Sequence, residues 1–242
     1  MPLAEQFGIN DLARWLGLDA REVTRLVSRG KLPARRVGGE WRFQRAEITR
    51  WIETELQISS SDELVRFEQS PIALQSTLHP AGGSMTDHIL LPECIAFPLQ
   101  ARTKGSVLRE LVQVAGNSFR IWDPDTVLSA VEVREERSST AMGMGIAFPH
   151  PGKRLTAEIS ESAVSLGVSL GGIPFGAPDG KLTQVFFLVL ATDDATHLSI
   201  LARLSRLFRA DETLAEQILA CGDSHQTHEF LRKLELGFLG DS

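Results

Sequence analysis

The sequence predicts an α/β fold, a mixed sheet flanked by helices, preceded by a small separate module of short helices. Apolar, β-branched segments interleave with amphipathic helical segments over residues 86–242, the usual pattern of a sheet covered by helices. Short helical segments and a Gly-Gly turn fill residues 1–56 instead. The charge divides similarly: residues 1–56 carry ten basic and eight acidic residues, and the remainder carries 15 basic and 23 acidic.

The first module is predicted to contain two helices, a hairpin and a third helix. Alternating residues on both sides of Gly38-Gly39 predict the hairpin, over residues 36–43. Residues 45–56 have the periodicity of a helix. This order is that of a winged helix-turn-helix. The caps and stops predicted for the first two helices are Asn10, Gly17, Asp19 and Gly30.

Residues 57–85 are predicted to form a flexible linker. Serine, proline and glycine punctuate this polar and mostly unpatterned stretch. A short helix could form near residues 62–68. The linker therefore separates the first module, residues 1–56, from a second one, residues 86–242.

The second module alternates predicted helices with two strands that look buried on both faces. The strands are predicted over residues 164–170 and 185–191. The predicted helices span residues 107–116, 124–134, 197–208, 211–221 and 227–236.

Bulk properties argue against membrane and secreted classes. The longest fully apolar run is Val185–Ala191, far short of the roughly 20 residues of a membrane-spanning helix. No basic segment followed by an apolar stretch marks a signal peptide at the N-terminus. Cys94 and Cys221 form neither a CxxC pair nor a metal spacing. We expect a cytoplasmic protein with no cofactor and no metal.

The second predicted helix and the hairpin carry side chains suited to DNA. Arginine and threonine on a recognition helix can reach base edges in the major groove, and arginines on a wing can contact phosphates. The net charge of +2 leaves open that this fold binds a protein instead. The candidate DNA-binding residues are Arg21, Thr24, Arg25 and Ser28 on the helix and Arg35, Arg36 and Arg42 on the wing.

The first module resembles the excisionase and MerR-like helix-turn-helix families. The resemblance covers residues 7 to about 54 and is carried by Gly30-Lys31-Leu32-Pro33 and by Val37-Gly38-Gly39-Glu40-Trp41-Arg42-Phe43. It implies sequence-directed DNA binding. We expect a homodimer if the DNA site is palindromic.

The stretch from Arg134 to Lys153 concentrates groups that suit a phosphate site. His150 lies between two prolines, which restrict its backbone. Arg134 supplies positive charge, Ser139 and Thr140 supply hydroxyl donors, and glycines let backbone N–H groups approach an anion. Gly143 and Gly145 are the candidate glycines. A presented imidazole in such surroundings is a candidate nucleophile.

This second module resembles the IIA domains of the fructose/mannitol class of the bacterial phosphotransferase system, including the nitrogen-regulatory IIA proteins. The matching motifs are Arg134-Glu135, Ser139-Thr140, Gly143-Met144-Gly145 and Ile146-Ala147-Phe148-Pro149-His150. The resemblance covers residues 86 to about 238. Pro151 departs from it, because many family members have glycine there, and proline lacks an N–H that could bind phosphate.

The resemblance implies that His150 accepts a phosphoryl group from HPr or a related carrier. His197 matches the second histidine of the family and would orient His150 or donate to the phosphoryl group. Arg134 would offset the charge of the phosphoryl oxygens, and Ser139 and Thr140 would donate hydrogen bonds to them. The scheme needs no metal.

Three functions remain open at this point. The first is a regulator in which phosphorylation of His150 is coupled to DNA binding. The second is a soluble IIA phosphocarrier that relays phosphate to a separate IIB component. The third is a regulator that binds proteins without being phosphorylated, so enzyme activity stays undecided.

Overall fold

The computed structural model describes residues 5–78 and 84–240. Its N-terminal module, residues 5–58, contains two short helices, a three-stranded sheet of order β1-β3-β2 and a longer helix. In chain order these are β1 (Gln6–Phe7), α1 (Ile9–Leu16), α2 (Ala20–Ser28), β2 (Arg35–Val37), β3 (Glu40–Gln44) and α3 (Arg45–Ile58).

Local chemistry explains most of these boundaries. Gly17 ends α1 in the left-handed conformation, with φ of 69°, and the Asp19 carboxylate accepts the N–H of Arg21 to cap α2. The hairpin is confirmed, with Gly38 and Gly39 at positive φ between its strands. The predicted cap at Asn10 is wrong: α1 begins two residues earlier, because Gly8 is its N-cap.

The segment after α3 is more ordered than the expected linker. It contains α4 (Ser61–Glu68), capped by Ser60, and a 3₁₀ turn at Ala73–Gln75. Leu64 and Ile72 are fully buried. A segment that buries apolar side chains is held by packing, so the expectation of an unpatterned stretch is not met over residues 59–78. The rest of the predicted linker through residue 83, including His79, lies outside the described residues.

The C-terminal module, residues 84–240, is built on a five-stranded mixed sheet of order β4-β7-β8-β6-β5. The central pair β7–β8 is antiparallel, and β4 and β6 run parallel to β7 and β8 respectively. Its elements are α5 (Met85–His88), β4 (Ile95–Ala96), α6 (Lys104–Gly116), α7 (Pro124–Arg137), β5 (Ala141–Gly143), β6 (Ile146–Ala147), β7 (Ala163–Ile173), β8 (Thr183–Leu190), α8 (Asp194–Ala210), α9 (Leu214–Ala220) and α10 (Ser224–Gly240).

The central strands are buried on both faces, as predicted. Along β8, Val185 and Phe187 belong to the apolar core that includes α8, while Phe186 and Leu188 belong to the core beneath α6 and α7. Successive strand residues point to opposite faces, so a strand covered on both sides must be apolar throughout. The layers are therefore helix, sheet and helix, and α8 packs in the core on the side that carries the site.

The two modules share one apolar core. Leu56 of α3 and Leu64 of α4 lie in the same cluster as Leu204 and Phe208 of α8. Both α3 and α4 pack against α8. Each fully buried leucine contributes roughly 1.5–3 kcal/mol of transfer free energy, so this junction is a substantial interface. It fixes α3 against the C-terminal module.

Among the described residues, no helix combines the length and apolar character needed to cross a membrane.

Candidate functional site

The loop after β6 presents His150. The carbonyl of Pro149 accepts the N–H of Val189 on β8 at 2.8 Å, so the loop continues the sheet. His150 Nδ1 lies 2.8 Å from the carbonyl oxygen of Phe148. A carbonyl can only accept, so Nδ1 carries the proton and Nε2 presents a lone pair in the neutral ring. Nε2 is thus the nitrogen whose lone pair is available in the neutral ring.

His197 lies beside it in the first turn of α8. Asp193 caps this helix by accepting the N–H of Thr196 at 2.8 Å. The ring centroids of His150 and His197 are 4.9 Å apart, and the ring planes make an angle of 62°. The two histidines predicted to act together are therefore in contact.

A carboxylate from the N-terminal module lies between the two rings. Glu53, on α3, accepts a hydrogen bond from His197 Nε2 at 2.8 Å through Oε1. Its other oxygen, Oε2, lies 3.4 Å from His150 Nε2. Glu53, His150 and His197 are 3%, 1% and 0% exposed, so solvent is excluded from all three.

Two arginines of the C-terminal module point at the same carboxylate. Arg134 Nη2 is 3.9 Å from Oε2 of Glu53, and Arg154 Nη2 is 3.8 Å from Oε1. Arg134 also donates to the carbonyl of Ser138, and Arg154 pairs with Asp194 at 3.3 Å. Two imidazoles and two guanidinium groups thus converge on one small anion.

The protonation states follow from burial and these partners. Burial, reinforced by the charge of Arg154, lowers the pKa of His197 to about 3, so the ring is neutral near pH 7 and donates through Nε2–H. Burial alone would raise the pKa of the Glu53 carboxyl, but its contacts with His150 and His197 outweigh burial and hold the pKa well below its usual range. Glu53 is therefore ionised.

The other predicted phosphate ligands are placed differently. The Ser139 hydroxyl donates to the carbonyl of Phe175 at 2.7 Å, and the Thr140 hydroxyl donates to Glu135 at 2.6 Å. Both hydroxyls already have acceptors away from the histidines. The role of these two residues as donors to a phosphoryl group on His150 stays a prediction, and it requires both hydroxyls to exchange these acceptors.

The glycines form a turn with a different partner. Gly143 and Gly145 have φ of 86° and 77°, values that glycine adopts readily. The N–H of Met144 between them donates to the Asp179 carboxylate at 3.1 Å. Asp179 thus takes the N–H group of Met144 in this turn, and the role of Gly143 and Gly145 in binding phosphate stays a prediction.

Sequence reasoning missed Glu53 and Arg154. A glutamate on an amphipathic helix is usually solvated, and Glu53 lies 97 positions before His150 in the chain. One signal was available for Arg154: it follows His150 by four residues in a basic stretch. For Glu53 we find none in the sequence.

The carboxylate and the two histidines also have the composition of a metal site. Their candidate ligand atoms all lie within 4.8 Å of one another. However, Arg134 and Arg154 bring two positive charges to the same carboxylate. That environment favours an anion over a cation.

The predicted DNA-binding residues lie on the outer face of the N-terminal module. All seven are exposed or half-buried. Several use internal partners: Arg25 pairs with Glu22 at 3.2 Å, Arg35 with Glu47 at 2.7 Å, and Arg42 with Glu40 at 2.7 Å. The Thr24 and Ser28 hydroxyls donate back to carbonyls of α2. The face is accessible, and its side chains would exchange these contacts on binding.

Two families match the chain. The profile of "Phosphoenolpyruvate-dependent sugar phosphotransferase system, EIIA 2" matches residues 88–234, and a "Helix-turn-helix domain" profile matches residues 7–55. A fructose-specific EIIA component from Haloferax volcanii is 33% identical over 137 residues, covering 56% of this chain and 86% of that protein. A nitrogen regulatory protein from Bradyrhizobium diazoefficiens is 31% identical, over 59% of this chain and 92% of that protein.

Other similarities are partial or concern the fold alone. A fructose-specific EIIABC component from Bacillus subtilis is 32% identical over 54% of this chain, which spans only 20% of that protein's length. The crystal structure of nitrogen regulatory protein IIA-Ntr from Neisseria meningitidis is 23% identical, with a TM-score of 0.55 over 61% of this chain and 99% of that one. The predicted mixed sheet with flanking helices is thereby confirmed.

Proposed function

The chain belongs to the EIIA 2 family of the phosphoenolpyruvate-dependent sugar phosphotransferase system, and on that premise we propose that it is a regulatory phosphoprotein. His150 accepts a phosphoryl group from an HPr-like carrier, and the phosphorylated state is coupled to DNA binding. The observation that supports this most is the convergence of His150, His197, Arg134 and Arg154 on one carboxylate. It is an anion site built around a nucleophilic nitrogen.

The transfer step uses the lone pair of His150 Nε2. This lone pair attacks the phosphorus of the carrier's phosphohistidine, a new N–P bond forms, and the carrier's N–P bond breaks with its electron pair returning to the carrier's ring. The proton on His150 Nδ1 stays in place, donating to the Phe148 carbonyl, which spreads the positive charge of the phosphorylated ring.

The neighbouring groups supply charge and orientation. Arg134 and Arg154 offset the negative charge on the phosphoryl oxygens, which is the main task of a protein in phosphoryl transfer. His197 donates to a phosphoryl oxygen through the Nε2–H that now donates to Glu53. No step in this scheme requires a metal.

Phosphorylation of the purified full chain by enzyme I, HPr and phosphoenolpyruvate tests the phosphoacceptor. We expect acid-labile phosphate on the wild type and none on His150→Ala. The exposed His225 provides the matched control, so His225→Ala should label like the wild type. Equal labelling of His150→Ala and wild type would contradict the assignment.

DNA binding is proposed for the exposed face of the N-terminal module. The match to a helix-turn-helix family and the exposure of Arg21, Arg25 and Arg36 support it. We expect that oligonucleotides selected by the full chain from a random library bind Arg25→Ala and Arg36→Ala about tenfold more weakly. Arg66→Ala, a change on α4 outside this face, is the control. Unchanged affinity in both variants would rule this face out.

Regulation is favoured over relay by the helix-turn-helix module, because one of its own side chains, Glu53, covers His150 and so links the phosphorylation site to the DNA-binding module. We further propose that the protein acts in the cytoplasm, and as a homodimer where its DNA site is palindromic.

A further inference from the structure

We infer that Glu53 is an internal substitute for the phosphoryl group: it holds the site closed and must leave before His150 can be modified. The inference rests on the proposed function, whose regulation it specifies. The α3 helix is then both a structural part of the DNA-binding module and the gate of the phosphorylation site.

The first argument is position. Glu53 Oε2 lies 3.4 Å from His150 Nε2, the atom to which the phosphoryl group would be bonded. A phosphoryl group bonded to that nitrogen would place its oxygens where the carboxylate now lies. The two groups cannot occupy the site together, and an incoming donor meets the same obstacle.

The second argument is the set of partners. The C-terminal module supplies two guanidinium groups and one N–H to the Glu53 carboxylate, from Arg134, Arg154 and His197, and it also places His150 Nε2 beside it. The C-terminal module therefore makes an anion site, and the N-terminal module fills it. A carboxylate carries one negative charge, whereas a phosphoryl group carries about 1.5 to 2 near neutral pH.

The third argument is charge balance after exchange. Withdrawal of Glu53 removes one negative charge from beside Arg134 and Arg154, while Arg154 keeps its ion pair with Asp194. The site becomes more positive by one unit, which favours binding of a phosphoryl group. Phosphorylation with Glu53 still present would place the new charge against a buried carboxylate, which is strongly unfavourable.

The fourth argument is mechanical linkage. Glu53 cannot withdraw alone, because Ile52 and Leu56 of the same helix lie in the apolar core shared with α8. Arg45, at the start of α3, pairs with Asp194 of α8. Release of the carboxylate therefore separates α3 from α8. Phosphorylation and docking of the N-terminal module become mutually exclusive states.

The docked state leaves the DNA face uncovered, since Arg21, Arg25 and Arg36 stay exposed. Docking thus fixes the orientation of α2 and the hairpin relative to the C-terminal module without blocking them. Phosphorylation would change that orientation, which matters for any DNA site read by two copies at a fixed spacing.

The experiment measures access to His150 in the full chain by two independent reactions, the second of which is run both with and without EDTA. One is phosphorylation by enzyme I, HPr and phosphoenolpyruvate. The other is carbethoxylation by diethyl pyrocarbonate, quantified by mass spectrometry on the peptide containing His150, with the exposed His225 as internal reference. The variants are Glu53→Gln, which keeps the volume, and Glu53→Arg, which reverses the charge. Glu55→Gln, an exposed change on the same helix, is the matched control.

We expect both reactions at His150 to be about tenfold or more faster in the two Glu53 variants than in wild type and Glu55→Gln, because losing one partner of a buried charged group opens the contact. Equal rates in all four proteins would overturn the gate. Fast carbethoxylation without any phosphorylation would support the gate and refute the phosphoacceptor. Loss of the wild type's protection only when EDTA is added would show that a metal, not the carboxylate, closes the site, and would overturn the inference.

Discussion

Two buried glutamates, Glu53 and Glu235, differ in how many hydrogen bonds their carboxylates accept. Glu235 of α10 accepts from five donor atoms, on Ser84, Met85, Thr86 and Arg203, at 2.6–2.9 Å. Glu53 accepts one clear hydrogen bond, from His197, and its Oε2 has no hydrogen-bond partner in the described structure.

The difference separates a structural carboxylate from a displaceable one. Burial alone would raise the pKa of Glu235, but hydrogen bonds from Ser84 and from backbone N–H groups hold it below its usual value. Its partners come from one module and are fixed by the fold. Glu53 instead joins two modules through long ionic contacts, which a competing anion can replace.

The largest effect is expected from Glu235→Gln. The amide would turn an N–H towards donors that now point at oxygen, and Arg203 would lose its charged partner. We expect the free energy of unfolding, measured by denaturant titration, to fall by about 3–5 kcal/mol. Glu216→Gln, an exposed change on α9, should alter it by less than about 0.5 kcal/mol. A loss for Glu235→Gln no larger than for Glu216→Gln would remove the basis of the comparison.

The second largest loss of stability is expected from Leu64→Ala. This change weakens the packing of α4 on α8 and leaves the charged groups around Glu53 in place. Leu64 is fully buried between α4 and α8, so truncation should cost about 2–4 kcal/mol and speed carbethoxylation of His150. Leu74→Ala, at a residue that is 51% exposed, is the control. Destabilisation with unchanged reactivity at His150 would show that the junction and the gate are independent.

The pH dependence should give an intermediate effect. His197 is neutral when folded, with a pKa of about 3 against an ordinary 6.5, so between those values the unfolded chain binds one more proton. Stability therefore falls as pH falls, by about 1.4 kcal/mol per unit. From pH 7 to 5, wild type should lose about 2 kcal/mol more than His197→Gln. Parallel pH profiles for the two proteins would contradict a neutral, buried His197.

The smallest effect on stability is expected from Glu53→Gln. Its loss of ionic contacts is partly offset by the lower desolvation cost of a neutral side chain, so the free energy of unfolding should fall by about 1.4 kcal/mol, the equivalent of a tenfold easier opening. This small change should accompany the large gain in His150 reactivity predicted above. A loss comparable to that of Glu235→Gln would place Glu53 among the structural carboxylates.

Much of the architecture was predictable because it is encoded locally. The caps at Gly17 and Asp19, the glycine turn of the hairpin and the continuous apolar run of β8 each identify their own element. His150 and His197 were found through motifs, and the structure brings both together with Arg134.

What escaped prediction depends on contacts between distant parts of the chain. The Glu53–His197 hydrogen bond joins residues 144 positions apart. The periodicity of the sequence cannot predict a contact over that separation. Likewise, nothing in the sequence of Ser139 and Thr140 tells that their hydroxyls are taken by Phe175 and Glu135. A polar motif indicates which groups lie close to one another in the fold. The hydrogen-bond partner of each group depends on the folded geometry.

The apolar core shared across the junction has a practical consequence for dissecting this protein. A fragment that begins at residue 84 would leave Leu204 and Phe208 of α8 without the covering side chains of α3 and α4. Such a fragment would be prone to aggregate through this exposed apolar surface. Its His150 would react as it does in the intact chain when Glu53 has withdrawn. Rates measured on it would describe only one of the two states available to the intact chain.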